Sequence, residues 1–566
     1  MNTRFRVWAP RAVSVDLLTE GDRRAAMPVA GGWWTADPPA PGADYSISVD
    51  GGPARPDPRS VEQPRGVLAP SRWPSPAPSP APFAPLPLAD GVVYELHVGT
   101  FTAAGTFDAA IEHLDHVAAL GVTHVELMPI AAFSGRHGWG YDGVDLYAVH
   151  APYGGPAGLR RLIDACHQRR LGVILDVVYN HLGPEGDYLA DVGPYFAPRA
   201  RTPWGAAFDL SEPAVRAYFL DNAQQWLDDF AIDGLRLDAT HALIDDTPRH
   251  LLAELTEEVR ALERATGRTI ALIGEHEEQD RRLIDDADGG GCGLDALWYD
   301  DLHHALRGAI THEGSTYLDD RTPLGNLARA LTLGCDDVRR TRWRRVETPH
   351  GHVDGRRLIA SIQNHAQIGG RPHGERLGQL TSAGRLRFGV ALLFLSPFVP
   401  MIFQGDEWGA STPFHYFVEH QDAALRRAVR EGRRRDLADR GWDTALLLDP
   451  SAPEAHRASI LDWREPQRGR HASVIAWYRA LIALRRRCAA LRDGRRDAIT
   501  CAWDERGRWF TYERGPISLV ANLSRTAPAR LPRPSGVRVL AYPEPPSETR
   551  GAIILPPDAI AIYERA

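Results

Sequence analysis

The run Ile232-Asp233-Gly234-Leu235-Arg236-Leu237-Asp238-Ala239 carries the clearest chemical signal in the chain. Leu235 and Leu237 alternate with Arg236 and Asp238, the period of a short strand, so the arginine and the aspartate share one face. A carboxylate buried on a strand is costly unless a cation and hydrogen bonds compensate it, and Arg236 can supply both. Asp238 held ionised in that way suits a nucleophile; the other reading of the pair is a salt bridge that only fixes the strand. Three further strand-like runs also close on polar or ionisable residues. Asp176-Val177-Val178-Tyr179-Asn180-His181 ends one, Glu275 follows Ile270–Gly274, and Asn364-His365 follow Leu358–Gln363. Strand ends that converge on one rim in this way point to a catalytic site. Asp238 and Glu275 on neighbouring strands suit retaining glycoside hydrolysis, where two carboxyl groups stand roughly 5–5.5 Å apart as nucleophile and proton donor. Charges that close repel, and with Arg236 beside it Asp238 is the better anion and Glu275 the better acid. His181 and His365 can donate hydrogen bonds to sugar hydroxyls, or pack behind the site.

The elements needed to hold these residues are legible as alternating strands and helices. Strand-like runs fall at Val92–Val98, His124–Met128, Val173–Val178, Leu235–Ala239, Ile270–Gly274, Ala296–Tyr299, Leu358–Gln363 and Pro400–Gln404, the eight that a (β/α)8 TIM barrel requires. Between them, Thr106 can cap a helix with Phe107, Ile111, Leu114 and Val117 on one face and Gly121 past its end. Leu159, Leu162, Ile163 and Cys166 make a second helix, ended by Gly172. Ser211 with Pro213 and Thr247 with Pro248 open two more, and Ser473–Arg487 is a long helix closing the barrel region. Residues 1–88 read as an N-terminal β-sandwich domain with Pro-, Ser- and Ala-rich linker over 70–88, extended and semi-rigid. Trp33-Trp34 in that domain fit either a sugar platform or the sandwich core, the core being preferred for at least one. The barrel spans 89–495, and alternating runs at Trp509–Tyr512, Ile517–Val520 and Ala559–Tyr563 mark a small C-terminal β domain over 496–566.

At 566 residues the chain exceeds what one core usually supports. Its net charge of −8 gives no general attraction to nucleic acid or to an anionic membrane, and the arginine clusters at 339–345 and 426–435 read as solvated faces because acidic residues intersperse them. The five cysteines are scattered without metal-ligand spacing, which favours reduced thiols and a cytoplasmic home. The N-terminal residues lack the apolar core of a signal peptide, and no run is apolar enough to span a bilayer. No glycine-rich loop joins a strand to a helix as a nucleotide site would need, and neither cofactor nor metal is expected.

Asp176–His181, Gly234–Ala239, Glu275 and Gln363–His365 resemble the four signature regions of the α-amylase family of glycoside hydrolases. Longer stretches are similar to the branch of that family that acts on trehalose-ended glucans. They are Tyr94–Thr102, Gly138–Asp145, Tyr153–Pro156, Asn180–Gly186, Thr202–Gly205, Gly374–Leu377 and Gly405–Phe417. The resemblance implies Asp238 as nucleophile and Glu275 as acid/base, with Tyr141, Asp176, His181, Arg236 and His365 around the reacting glucose. It implies cleavage of the α-1,4 bond next to the terminal α,α-1,1-linked pair of maltooligosyl trehalose, and functional pairing with the maltooligosyltrehalose synthase that makes this substrate. Tyr188, Tyr195, Phe196 and Trp204, in the loop after the third strand, are candidates to stack on the glucan or to pack on one another. One departure matters most. The family's third carboxylate follows Asn364-His365, and here that position is Ala366. An alanine cannot face developing oxocarbenium charge, and losing one preorganised electrostatic group costs on the order of 10²–10³ in rate. Gly370 and Gly274-Glu275-His276 also depart from the family pattern. The expected activity is therefore impaired trehalose release. The alternatives are another α-glucan-acting amylase or branching-type enzyme, or a catalytically retired glucan-binding protein.

Overall fold

The computed structural model describes residues 4–311, 322–333, 353–445, 447–543 and 545–565. Cys335 and the arginine cluster at 339–345 lie outside the described residues. Eight parallel strands close into a barrel. They are β1 (Val93–Leu96), β2 (His124–Leu127), β3 (Gly172–Val177), β4 (Gly234–Leu237), β5 (Ala271–Gly274), β6 (Ala296–Trp298), β7 (Leu358–Ser361) and β8 (Val399–Phe403). Each falls within one of the runs expected from sequence or overlaps it, apart from small shifts at the ends. Strand β1 stops at Leu96, because Val98–Phe101 turns into a helix.

Alternate positions of these strands point into the barrel. Val93, Ile174, Ala271, Ile273, Ala296, Trp298, Ile359, Val399 and Met401 form one buried cluster, the apolar plug of the barrel. Above it the inward positions become polar: Glu95 pairs with Glu126 between β1 and β2, and Asp176 pairs with Arg236 between β3 and β4. The pairs Leu237↔Gly274 and Gly274↔Leu297 then bring the residues that follow β4, β5 and β6 to neighbouring places on the rim.

The helices differ in detail from their expected starts and stops. The Thr106 hydroxyl caps its helix by accepting from the Ala109 N–H at 3.2 Å, but the helix is broken into Phe107–Ile111 and Leu114–Leu120 before Gly121. The second helix, Gly155–Gln168, ends before Arg170, whose φ of 60° turns the chain, and Gly172 begins β3 instead of closing the helix. Pro213 does open Pro213–Gln224, but Glu212 holds the cap position, not Ser211. Thr247-Pro248 lie ahead of Leu251–Thr266, where His250 accepts from the Leu252 N–H at 3.2 Å as the cap. The long helix runs over Gly469–Arg487.

The barrel carries sheets at both ends of the chain. The N-terminal region packs a three-stranded sheet against a four-stranded one around Phe5, Val7, Val15, Leu17, Trp34, Tyr45 and Ile47. Trp34 fills that core and donates to the Ala9 carbonyl at 3.0 Å, whereas the Trp33 ring lies under Arg6 and Arg59 at 4.6 and 5.2 Å. Both tryptophans are thus occupied within the fold, and neither presents a platform. The C-terminal region pairs a five-stranded sheet with a three-stranded one. It docks on Ala383–Leu395, where the Tyr512 hydroxyl donates to the Leu395 carbonyl at 2.7 Å.

Two antiparallel hairpins interrupt the barrel loops, Ala131–Phe133 with Gly143–Val149 and Phe196–Thr202 with Gly205–Phe208. The second belongs to an excursion after β3 that reaches the N-terminal sandwich. Val192 sits in the sandwich core, Tyr195 meets Trp8 edge-on at 5.1 Å, and Asp191 pairs with Arg55 at 2.7 Å. The arginines of 426–435 lie on Ala423–Asp439, paired locally as in Arg433–Asp436 at 3.6 Å. Among the described residues, no helix is long and apolar enough to cross a membrane.

Candidate active site

Arg236 organises the rim. Its Nη1 donates to both oxygens of Asp176 at 2.8 Å and to Asp238 Oδ1 at 2.8 Å, and its Nη2 lies 3.3 Å from Glu275 Oε2. Burial works against its charge, but Asp176, Tyr141, Glu275 and Asp238 together hold it well above the ordinary arginine value. The Trp298 ring seals it from below, 4.0 Å from the guanidinium carbon. One cation therefore binds the ends of β3, β4 and β5 to each other, and it approaches Asp238 more closely than Glu275.

The second hydrogen bonds separate the two carboxyl groups. Asn180 Nδ2 donates to Asp238 Oδ2 at 3.0 Å, which fixes that carboxylate between an amide and a guanidinium. Glu275 Oε2 accepts from the backbone N–H of Ala239 at 2.6 Å. Ala239 reaches that position with φ 41°, ψ 51°, a left-handed conformation that costs a side-chain-bearing residue about 1–2 kcal/mol. The strain sits on the residue after Asp238 and aims a donor at Glu275.

Tyr141 and His365 close the floor. The Tyr141 hydroxyl donates to Asp176 Oδ2 at 2.6 Å and meets His365 Nε2 at 2.8 Å, while His365 Nδ1 is held by Glu95 from β1. Gly140 makes the approach to Tyr141 possible: at φ +97°, a Cβ there would stand 2.1 Å from the Pro129 carbonyl oxygen. Burial pushes the Asp176 carboxyl up to about 7 against the pull of Arg236. Burial also lowers the His181 imidazole, against Asp238 and Asp142, so this ring serves as a neutral hydrogen-bonding group near neutral pH. His181 lies parallel to Trp204, ring centres 4.9 Å apart, and Trp204 is half exposed at 49%. Ala366 is exposed on the short helix His365–Gly369, whose start is fixed by a reciprocal capping box between Asn364 and Gln367. Among the described residues no group of three or more His, Cys, Asp or Glu is arranged to hold a metal ion.

The family model "Alpha amylase, catalytic domain" matches residues 90–202, and a second, "Domain of unknown function (DUF3459)", matches 494–562. Malto-oligosyltrehalose trehalohydrolase of Arthrobacter ramosus is 44% identical over 567 residues, covering 96% of each chain. The protein of the same name from Mycobacterium tuberculosis is 42% identical, again over 96% of both. This chain belongs to the malto-oligosyltrehalose trehalohydrolase family. A crystal structure of a Salmonella typhimurium protein, solved at 1.4 Å, superposes on this trehalohydrolase-family chain with a TM-score of 0.88 at 34% identity, covering 100% of it and 97% of its own length.

Within this trehalohydrolase-family fold the rim gathers Tyr141, Asp176, His181, Trp204, Arg236, Asp238, Glu275, His365 and the Ala366 position. Of the other aromatic candidates Tyr195 is buried, while Tyr188 and Phe196 are half-buried with one ring contact each within the fold. Tyr195 is buried against Trp8, Phe196 stacks on Phe208 at 5.2 Å, and the Tyr188 ring lies 4.1 Å from the Arg55 guanidinium. Tyr188 and Tyr195 meet the N-terminal region, where the excursion after β3 adheres to the sandwich, and Phe196 packs within its own hairpin. Several rim residues carry no role in the sequence-based reading. Glu95 orients His365, Asn180 binds Asp238, and Trp139 packs edge-on against His365 at 5.3 Å. Asp300 follows β6 and accepts from Gln367 Nε2 at 2.9 Å. The signal for Glu95 was an acidic residue inside an apolar strand; for Asp300 it was the inward parity of Ala296 and Trp298 continued by two residues.

Proposed function

We propose that this chain hydrolyses the α-1,4-glucosidic bond next to the terminal trehalose unit of maltooligosyl trehalose by a retaining double displacement, at a rate depressed by Ala366. The observation that carries the reading is the single guanidinium of Arg236 touching both Asp238 and Glu275, which holds two carboxyl groups at the ends of adjacent strands. In the first step an Asp238 oxygen attacks the anomeric carbon while Glu275, protonated, gives its proton to the departing trehalose oxygen. In the second, Glu275 takes a proton from water, the water oxygen replaces Asp238 at that carbon, and Glu275 is again protonated. Arg236 and Asn180 keep the Asp238 carboxylate pointed at the cleft. Tyr141, Asp176, His181 and His365 bind hydroxyls of the reacting glucose, and Trp204 offers a ring face to the next sugar.

The same proposal includes the division into a sandwich domain with linker (1–88), a catalytic barrel (89–495) and a small β domain (496–566). A cytoplasmic location and a substrate supplied by maltooligosyltrehalose synthase complete it. Ala366 favours a second reading, a glucan-binding protein that has lost turnover. The test is Ala366→Asp with trehalose release measured from maltotriosyl trehalose. A slow parent rate that rises about 10²-fold or more is expected. Maltose released from plain maltooligosaccharides, or new branch points, would replace the trehalose reading with that of another α-glucan enzyme. Calorimetric glucan binding with no turnover in either protein would establish the second reading.

A further inference from the structure

Beyond Asp238 and Glu275, and beyond Asp176 and Glu95, which are taken up by Arg236, Tyr141 and His365, the rim holds one further carboxylate, Asp300, and it stands beside the place where one is missing. On β4 the inward positions run Arg236 then Asp238; on β5, Ile273 then Glu275; on β6, Ala296 and Trp298, then Asp300. Three adjacent strands thus each place a carboxyl group at the first or second inward position above the apolar plug. Asp300 is half-buried and opens the helix Asp300–Thr311. Its Oδ1 accepts from Gln367 Nε2 at 2.9 Å, and Gln367 is the neighbour of Ala366 in the same turn. The other end of that amide, Gln367 Oε1, accepts from the Asn364 N–H at 2.9 Å, so the side chain cannot swing away without breaking the cap. Asp300 is thereby tied to the turn that carries the alanine.

We infer that Asp300 is a catalytic carboxylate of this chain, facing the positive charge that develops on the reacting glucose and standing in for the group absent at position 366. The inference rests on the hydrolytic reading given above. Charge on Asp300 is felt by the whole site: Glu275 from β5, Arg236 from β4, His365 from the capped turn and Glu95 from β1 all act on it. Burial, reinforced by Glu275, pushes its carboxyl up to about 6, so it is ionised at neutral pH and loses its charge as the pH falls through that value. An anion poised to lose its charge in mildly acidic solution leaves a mark on the rate profile that a purely structural residue would not.

The test is Asp300→Asn in the full chain, a change that keeps an oxygen for Gln367 to bond and removes only the charge. Expected are a fall of about 10²-fold in kcat for trehalose release from maltotriosyl trehalose, with KM within threefold, and loss of the acid limb near pH 6. Ala366→Asp added to Asp300→Asn is expected to restore most of the lost rate. Binding of 1-deoxynojirimycin, a cationic glucose mimic, measured by calorimetry, is expected to weaken at least tenfold while neutral maltotriose binds as before. Unchanged kcat together with unchanged 1-deoxynojirimycin affinity would overturn the inference. If neither the parent nor its Ala366→Asp variant releases trehalose, the hydrolytic reading fails, and the calorimetric comparison alone then decides for or against Asp300.

Discussion

At the scale of single residues the site depends on one guanidinium shared among carboxylates. Arg236 is buried with Asp176 and touches Asp238 and Glu275. Removing one partner of a buried ion pair leaves uncompensated charge and costs about 3–5 kcal/mol. Arg236→Met is therefore expected to lower the free energy of unfolding by about that amount, read from the denaturant midpoint. Arg236→Lys should retain more of the stability but lose at least about 10²-fold in kcat, because a point charge on a flexible stem cannot bridge three strand ends as a planar fork does. A Lys variant with near-parental kcat would mean that the fork geometry is dispensable. The Arg236–Asp238 pair was legible in sequence because period-two alternation places both on one face. Asp300 was not, since Tyr299-Asp300-Asp301 reads equally as the acidic first turn of a helix, which it also is.

Among the elements, the short helix His365–Gly369 shows how packing aims a turn of the candidate site. A Cβ on Gly369 would stand 2.1 Å from the Trp139 ring, and Trp139 in turn packs against His365 and stacks on Phe414 at 5.1 Å. Gly369→Ala must move either the indole or the turn bearing His365, Ala366 and Gln367. A loss of at least tenfold in kcat/KM is expected in the Ala366→Asp background, with no polar group removed; an unaltered value would show that Trp139 has room to yield. Barrel strands were readable because they are brief, largely apolar runs, several of which end in a polar residue. The hairpins at 131–149 and 196–208 were not, because their pairing depends on what they lie against, as Phe208 against Phe219, rather than on any alternation of their own. The helix starts differ for a local reason: Pro213 marked its helix, yet the Ser211 hydroxyl donates to Asp209 Oδ1 at 2.5 Å, and the cap position falls to Glu212.

For the whole molecule, sheet domains at both ends of the chain were evident from alternation and from the proline-rich stretch, while their contacts with the barrel were not, since no local pattern encodes a contact between residues far apart in the chain. The contact of Trp8 with Tyr195 is of that kind. Trp8→Leu removes an aromatic wall that the excursion after β3 leans on, and the expected outcome is a severalfold rise in KM for maltotriosyl trehalose with kcat little changed. A KM equal to the parent's would show that the hairpin holds itself in place. That hairpin carries Trp204, which projects over His181 at the lip of the cleft. The N-terminal sandwich is thus a buttress for the hairpin that, on the proposed function, meets the sugar chain. On that function, a change confined to the sandwich alters how tightly a glucan is gripped and leaves the Arg236 cluster as it was.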